Sequence, residues 1–450
     1  MAALSEAARL VWGAPALCIF AAAGLWLTHC SRAVQLRRPG QCIFGTLRRF
    51  ARPAEGGGVS PLQALSTALG GTVGTGNIAG VALAMAAGGP GVLFWMWVSA
   101  LLGMAIKYSE ALLAVKFRER DENGRRVGGP MYYIVNGLGE RFRPLAAIFS
   151  AAGALAAFGM GAAVQSGEMR SALDALCSAL ELRTGEGFPL AVGLVAAAFA
   201  ALVLLGGARR LGRVAALLVP GMSAAYAAAC LAVIAANAGN IIPSLEAVVL
   251  GAFRPEAGLA ACMGWGFRRG VFSNEAGLGS APIAHAASAE RDCVRQGMAG
   301  VFEVFADTIV ICTLTGLALL TSGVGFEFGS GSELCARAMG CVFGPRAGAA
   351  IIAAGMLLFA FSSLLSWGMY GSRCCVWLLG GRAERPYCTA FCAAVLAGAA
   401  ARLDAVWLVG DILNALMAAP NLLALTLLGG VVKTETQRYF EGQAREKRRA

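Results

Sequence analysis

Two glycine-studded stretches hold the residues whose types and spacing could do chemistry. The first is "GGTVGTGNIAGVA", residues 70–82. Read from Gly74 it is G-T-G-N-I-A, which fits the loose dinucleotide pattern G-x-G-x-x-A, where glycines let the backbone approach a pyrophosphate. The second is "GFRRGVFSNEAGLGSA", residues 266–281, where glycines flank Arg268, Arg269 and Glu275. Each glycine costs a helix interior about 1 kcal/mol relative to alanine. Gly70, Gly71, Gly74, Gly76 and Gly80 cluster at the centre of an otherwise apolar helical segment. An interrupted helix offers its own chemistry. Half-helix N-termini present free N–H groups and suit a carboxylate, and half-helix C-termini present free carbonyls and suit a small cation.

The elements around these stretches decide between the two chemistries. The chain has 450 residues, 58% hydrophobic and 14% charged, against about 25% charged in a typical soluble domain. Mean hydropathy is +0.66. Apolar runs recur from end to end, which predicts a multi-pass helical membrane protein. No strand precedes the first glycine cluster and no β-α-β unit follows it, so a dinucleotide is excluded. On that cluster alone, a glycine-rich helix-packing face would serve as well as a break. The second cluster, about 200 residues on, favours breaks in both.

Eleven spans are predicted, at about 9–30, 61–87, 90–116, 145–168, 188–206, 214–237, 258–286, 297–321, 347–372, 387–401 and 405–430; the tenth is short for a bilayer crossing, which takes about 20 residues. With the N-terminus outside, 27 of the 37 Lys and Arg residues fall in inner loops, seven in outer loops and three within spans, as the positive-inside rule requires. That accounts for the net charge of +11 through contact with an anionic inner leaflet, with no nucleic acid. Residues 9–30, followed by Arg32, Arg37 and Arg38 without a cleavage site, read as a retained first helix. Five spans run from each break to the end of its half. An odd number inverts successive halves, so the pattern predicts two inverted five-helix repeats, each beginning with a broken helix. The expected layout is an extra N-terminal helix and linker (1–58), a first repeat (59–238), a second (239–432) and a basic cytoplasmic tail (433–450). The 14 cysteines have no metal spacing and read as small apolar side chains. Two histidines are too few for a histidine metal site, and no HExxH or GxSxG pattern supports an enzyme.

The strings "GGTVGTGNIAGVA", "GGPGVLFWMWV", "GMAIKYSE", "GGPMYYI", "GFRRGVFSNEAGLGSAPIAHA", "DTIVICTLTG" and "FAFSSLLSWGMYG" occur in this order from about residue 60 to 372. They resemble the alanine or glycine:cation symporter family. The resemblance implies a leucine-transporter-like fold in a prokaryotic cytoplasmic membrane. It also implies Na⁺-coupled symport of a small neutral amino acid by alternating access, with no cofactor and no obligate protein partner. It assigns Thr72, Gly74, Thr75, Gly76 and Asn77 to the substrate site, with N–H groups near Gly76 and Asn77 meeting the carboxylate. Gln165, Phe272, Ser273, Asn274 and Trp367 join them; for Phe272 and Trp367 ordinary packing is the competing role. Ser362 and Ser363, with carbonyls near Leu69 and Thr72, would form an all-oxygen Na⁺ site, unless the hydroxyls bond back to their own helix.

Charges within the spans are expensive and need partners. Glu110 lies three residues after Lys107 and is expected to pair with it. Glu275 is expected to pair with Arg268 or Arg269, and Glu303 and Asp307 lie four apart on one helical face. Structural pairing and ion or proton coupling both remain open for Glu275, Glu303 and Asp307. A proton-coupled carrier would use Asp307 or Glu275. Asp411 lies near an outer end and is expected to be wet. Around Gln165 the chain reads "GMGAAVQSGEMRSA" where the family usually has asparagines on both sides, and the segment before "GFRRG" is short, so the choice of amino acid stays open.

Overall fold

The computed structural model describes residues 12–50, 59–253, 258–326, 330–401 and 403–449. They form a helical protein whose only sheet is a two-stranded hairpin, Glu119–Arg120 with Arg126–Val127. The chain opens with α1 (Ala14–Cys30), α2 (Val34–Arg37) and α3 (Pro39–Phe50). Of the expected 9–30 span, residues 9–11 lie outside the described residues.

The first broken helix starts where its sequence says it should. Ser60 Oγ accepts the Gln63 N–H at 3.1 Å, and Gln63 Oε1 accepts the Ser60 N–H at 3.0 Å. This reciprocal cap is followed by Pro61 in the first turn. Helix α4 (Pro61–Thr72) then stops, a π-helical turn covers Gly76–Gly80, and α5 (Val81–Gly88) continues. The two halves are bent by 48°. The half continues with α6 (Val92–Lys116), the short α7 (Pro130–Leu138), a long run of α8 (Arg143–Ala156), π turn (Ala157–Val164) and α9 (Gln165–Ala179), then α10 (Phe188–Leu204) and α11 (Gly207–Ala236).

After α12 (Ile241–Gly251) the same succession returns. The second broken helix is α13 (Leu259–Asn274) and α14 (Ala281–Ala286). Glu275, Gly277 and Gly279 between them have φ of 52°, 84° and 80°; the two glycines take this left-handed backbone without a Cβ penalty. Next come α15 (Cys293–Val304), a π turn (Phe305–Cys312) and α16 (Thr313–Thr321), the short α17 (Gly331–Phe343), the long α18 (Pro345–Leu379), α19 (Glu384–Gly398) and α20 (Leu403–Leu427). Helix α21 (Gly429–Arg449) closes the chain and is anchored by Tyr108–Thr436 at 2.8 Å and Lys116–Glu435 at 3.0 Å.

Among the described residues, six helices or helical runs are long and apolar enough to cross a membrane, seven with the bent pair, while α1 and α10 are apolar but shorter. All eleven expected segments contain helix. The expected 145–168 and 347–372 segments are longer, as helix continues over 143–179 and 345–379. Helices α7, α12 and α17 fall in connections read as loops.

The two broken helices pack on each other head to tail. Helix α13 lies against α5, and α14 against α4. Val59, two residues before α4, meets the segment just after α14, where Ala289 N–H donates to Val59 O at 2.8 Å. Helix α18 runs past both halves and packs against α4, α8, α9, α11 and α17.

Candidate functional site

At the first break the chain turns on Asn77. Its Oδ1 accepts the Gly74 N–H at 2.9 Å, and its own N–H donates to Gly74 O at 3.1 Å. The N–H groups leading the second half-helix are therefore those of Thr75 and Gly76, one position earlier than Asn77. The Asn77 amide nitrogen reaches the second break and the π turn after α15. It donates to Asp307 Oδ1 at 2.7 Å and to Ser273 Oγ at 3.1 Å. Ser273 and Thr308 hydroxyls donate to Asp307 Oδ2 at 2.8 and 2.7 Å. Asn274 donates to Thr308 Oγ1 at 3.2 Å and accepts the Ala276 N–H at 3.0 Å. Asn77, Ser273, Asn274 and Asp307, assigned from three separate strings, thus form one fully buried cluster. A carboxylate with three donors and no cationic side chain beside it is a place that accommodates a small cation or a proton.

A hydroxyl row on α18 faces the carbonyl end of α4. Ser362 Oγ lies 3.4 Å from Gly70 O, Ser363 Oγ 3.5 Å from Gly71 O, and Ser366 Oγ donates to Thr67 O at 2.7 Å. Of the α4 carbonyls, Ser362 and Ser363 reach those of Gly70 and Gly71, between the expected Leu69 and Thr72. Leu69 O is occupied by the Val73 N–H at 2.7 Å, with the Thr72 hydroxyl at 3.3 Å. Ser362 also donates to Phe359 O in its own helix at 2.9 Å. Glycine is needed opposite this row, because a Cβ on Gly74 would lie 2.6 Å from Ser363 Oγ. Among the described residues no group of three His, Cys, Asp or Glu could hold a metal ion, so any cation here would be held by neutral oxygens or by Asp307 alone.

Gln165 is buried. Its Nε2 donates to Met160 O at 3.2 Å, and its Oε1 has no partner. Trp367 is buried against Gly161, and its indole N–H donates to Glu275 Oε1 at 2.9 Å. Glu275 also receives the Ser280 hydroxyl, so it pairs with neither arginine. Arg268 binds Asp411 at 2.7 Å, which corrects the expectation of a wet Asp411: it is 6% exposed. Arg268 also stacks over Phe272, which packs on Trp12. Arg269 donates to Gly76 O at 3.2 Å. Its guanidinium fills the space beside Gly80, where a Cβ would fall 1.1 Å from Nη2.

Behind the second break lies a buried ionic network. Lys107 Nζ is 3.4 Å from Glu303 and 4.0 Å from Glu110. Glu303 bonds His285 Nε2 at 2.8 Å, and His285 Nδ1 meets Gln296 at 2.6 Å. Glu110 Oε1 accepts the N–H groups of Gly277 and Gly279, both at 3.1 Å, and the Asn421 amide at 2.6 Å. Glu110 thus places a carboxyl oxygen on the free N–H groups of the interrupted chain. Glu303 and Asp307 have different hydrogen-bond partners, and the π turn beginning at Phe305 lies between them. His285, Gln296, Asn421 and Asn414 were missed. A search of the apolar spans for isolated polar residues would have found His285, Asn414 and Asn421; Gln296 falls one residue before its span. Asn414 is buried with neither amide atom partnered.

A helical bundle with two broken helices packed head to tail and polar groups buried at the breaks is built as a membrane transporter. A crystal structure of a manganese transporter mutant from Eremococcus coleocola shares this fold, with a TM-score of 0.51 at 15% identity over 86% of this chain and 78% of that one. The model of the sodium:alanine symporter family matches residues 1–450, and the chain belongs to that family. It is 41% identical to the sodium/alanine symporter AgcS of Methanococcus maripaludis, over 98% of this chain and 97% of the relative. It is also 30% identical to a putative sodium/proton-dependent alanine carrier protein, YrbD, of Bacillus subtilis, over 93% and 88%.

Proposed function

We propose that the protein is a Na⁺-coupled symporter of a small neutral amino acid, alanine or glycine, working by alternating access. It sits in the cytoplasmic membrane of a prokaryote with its N-terminus outside and its C-terminus inside. Its eleven crossings form two inverted five-helix repeats, 59–238 and 239–432, after an extra N-terminal helix, in the leucine-transporter-like manner. The observation that carries this reading is the pairing of the two broken helices, with the α18 serines at the carbonyl end of one break and the Asn77–Asp307 cluster between them. The repeated helix succession supports the two repeats, and the antiparallel contact of the broken helices supports their inversion.

In this reading Na⁺ takes oxygens from Ser362, Ser363 and the α4 carbonyls, with Leu69 and Thr72 closing the turn. The substrate carboxylate meets the N–H groups at Thr75 and Gly76, within the stretch from Thr72 to Asn77. Its ammonium faces the unpartnered Gln165 oxygen, with Phe272, Ser273, Asn274 and Trp367 bounding or backing the pocket. One Na⁺ moving down 100 mV contributes about 2.3 kcal/mol. Uptake of labelled alanine and glycine into proteoliposomes, with and without an inward Na⁺ gradient, tests this. We expect Na⁺-driven accumulation that is lost in Ser362→Ala/Ser363→Ala. A second reading, proton coupling, is favoured by one observation, the buried Asp307 with hydroxyl and amide donors but no cationic partner. Accumulation that follows a pH gradient and ignores Na⁺ would establish it and reject the first.

A further inference from the structure

A cavity of about 760 Å³ opens on the arginine-rich side of the molecule. Its walls come from segments far apart in sequence: the hairpin after α6, the first turn of α11, the loop after α14, and the last third of α18. Six arginines line it, Arg120, Arg125, Arg126, Arg209, Arg291 and Arg373, and Asp121 is the one acidic residue among the lining residues. Asp121 pairs with Arg125 at 2.9 Å, and Glu384 bridges Arg125 at 3.5 Å and Arg373 at 3.2 Å. Two acids against six arginines leave four guanidinium charges in excess. Arg209 and Arg291 have no acidic partner among the described residues.

The positive-inside rule explains arginines on this side, but not their convergence on one concavity from four segments. Like charges held together repel, and at Arg126 that repulsion adds to burial. Partial burial, then Arg120 and Arg291, lowers Arg126 below the ordinary arginine range. Burial, then Arg126, brings neighbouring Arg118 down to about 10. Such a cluster is relieved by an anion with several charges and planar or tetrahedral oxygens that accept forked N–H donors.

We propose that this vestibule is a binding site for a polyanionic phosphate group, either a soluble di- or triphosphate or the headgroup of an anionic lipid. Ile283 of α14 and Met369 of α18 also line the cavity, so the ligand sits against the second broken helix and the serine-bearing helix and holds them to the hairpin. That the ligand comes from the cytoplasm rests on the orientation proposed above. The binding chemistry does not.

The test is calorimetric titration of inorganic pyrophosphate into the protein in neutral phosphatidylcholine nanodiscs, which are open on both faces and need no transport. At about 50 mM salt, where screening is weak, we expect saturable binding. Arg209→Gln/Arg291→Gln should weaken it by about tenfold or more, since it deletes two charge-assisted contacts. Arg183→Gln/Arg346→Gln lies beyond the other end of α10, about 25 Å away, and should leave it unchanged. Nanodiscs containing phosphatidylglycerol separate the sources. Pyrophosphate binding lost there and kept in neutral lipid identifies a lipid headgroup, and equal binding in both identifies a soluble ligand. No saturable binding to the wild-type protein in neutral lipid, or equal affinity in the Arg209/Arg291 variant, overturns the proposal. Absence of Na⁺-driven uptake would reject the symport reading and leave this result standing.

Discussion

Gly80→Ala is the sharpest perturbation of the first break. The added methyl carbon falls 1.1 Å from Arg269 Nη2, 1.8 Å from Cζ and 2.2 Å from Nε. The whole guanidinium must therefore leave its slot, and its bond to Gly76 O goes with it. A hydrogen bond to a charged group contributes about 1.5–3 kcal/mol, while alanine in place of glycine returns up to about 1 kcal/mol of helix propensity. The net loss expected is about 1–2 kcal/mol, read from unfolding in mixed SDS micelles. In an Arg269→Ala background the slot is empty, so Gly80→Ala should be neutral or stabilising by up to about 1 kcal/mol. The coupling between the two sites is then about 2 kcal/mol, well above the additivity error of about 0.5 kcal/mol. Equal effects of Gly80→Ala in both backgrounds would refute the claim that Arg269 clamps the interrupted segment.

Three further outcomes follow from the buried polar groups. Asn414→Leu should raise stability in the same assay by up to about 3 kcal/mol, because neither amide atom has a partner to lose; a fall would show that the amide is satisfied. Glu110→Leu strips the Gly277 and Gly279 N–H groups and leaves Lys107 with one carboxylate, for a loss of about 3–5 kcal/mol. Glu110→Gln keeps an acceptor for those N–H groups and should lose less than half as much; equal losses would show that the N–H groups of the break do not depend on this acceptor. Asp411→Asn weakens a pair whose arginine is one-third exposed, so it should cost less than about 1 kcal/mol, and still less at 1 M salt, where the Debye length is about 3 Å.

Both breaks were legible because glycines clustered inside an apolar segment weaken the helix at one point, and the Ser60–Gln63 cap marked the start of α4 directly. The grouping of Asn77, Ser273 and Asn274 was legible only through the family strings, since nearly two hundred residues separate the first from the other two. The misplaced charges share one cause, the assumption of unbroken α-helical spacing. Glu303 and Asp307 straddle the start of a π turn, and Glu275 adopts a left-handed backbone that turns its carboxylate toward Trp367 and Ser280. Arg268 finds Asp411 across 143 positions, a pairing that no local pattern contains. Helices α7, α12 and α17 were missed because 9–13 residues is too short to read as a crossing.

Each of the three π turns among the described residues holds or adjoins a candidate site residue: Asn77 within the first, Gln165 directly after the second, Asp307 within the third. A π turn accommodates one residue more than the α-helix around it would. Removing a single residue from 157–164 would close the turn to ordinary α-helix and leave the residues beyond it facing nearly as they do, whereas the same deletion in the α-helix on either side would swing every later side chain by about 100° around the axis. Gln165 would keep its place after a deletion within the turn and would be re-aimed by one in α8. Each such turn is therefore a place where a relative could lose one residue and keep both the backbone path and the side chains beyond it, the change falling on the turn's own residues, as at Asn77 and Asp307.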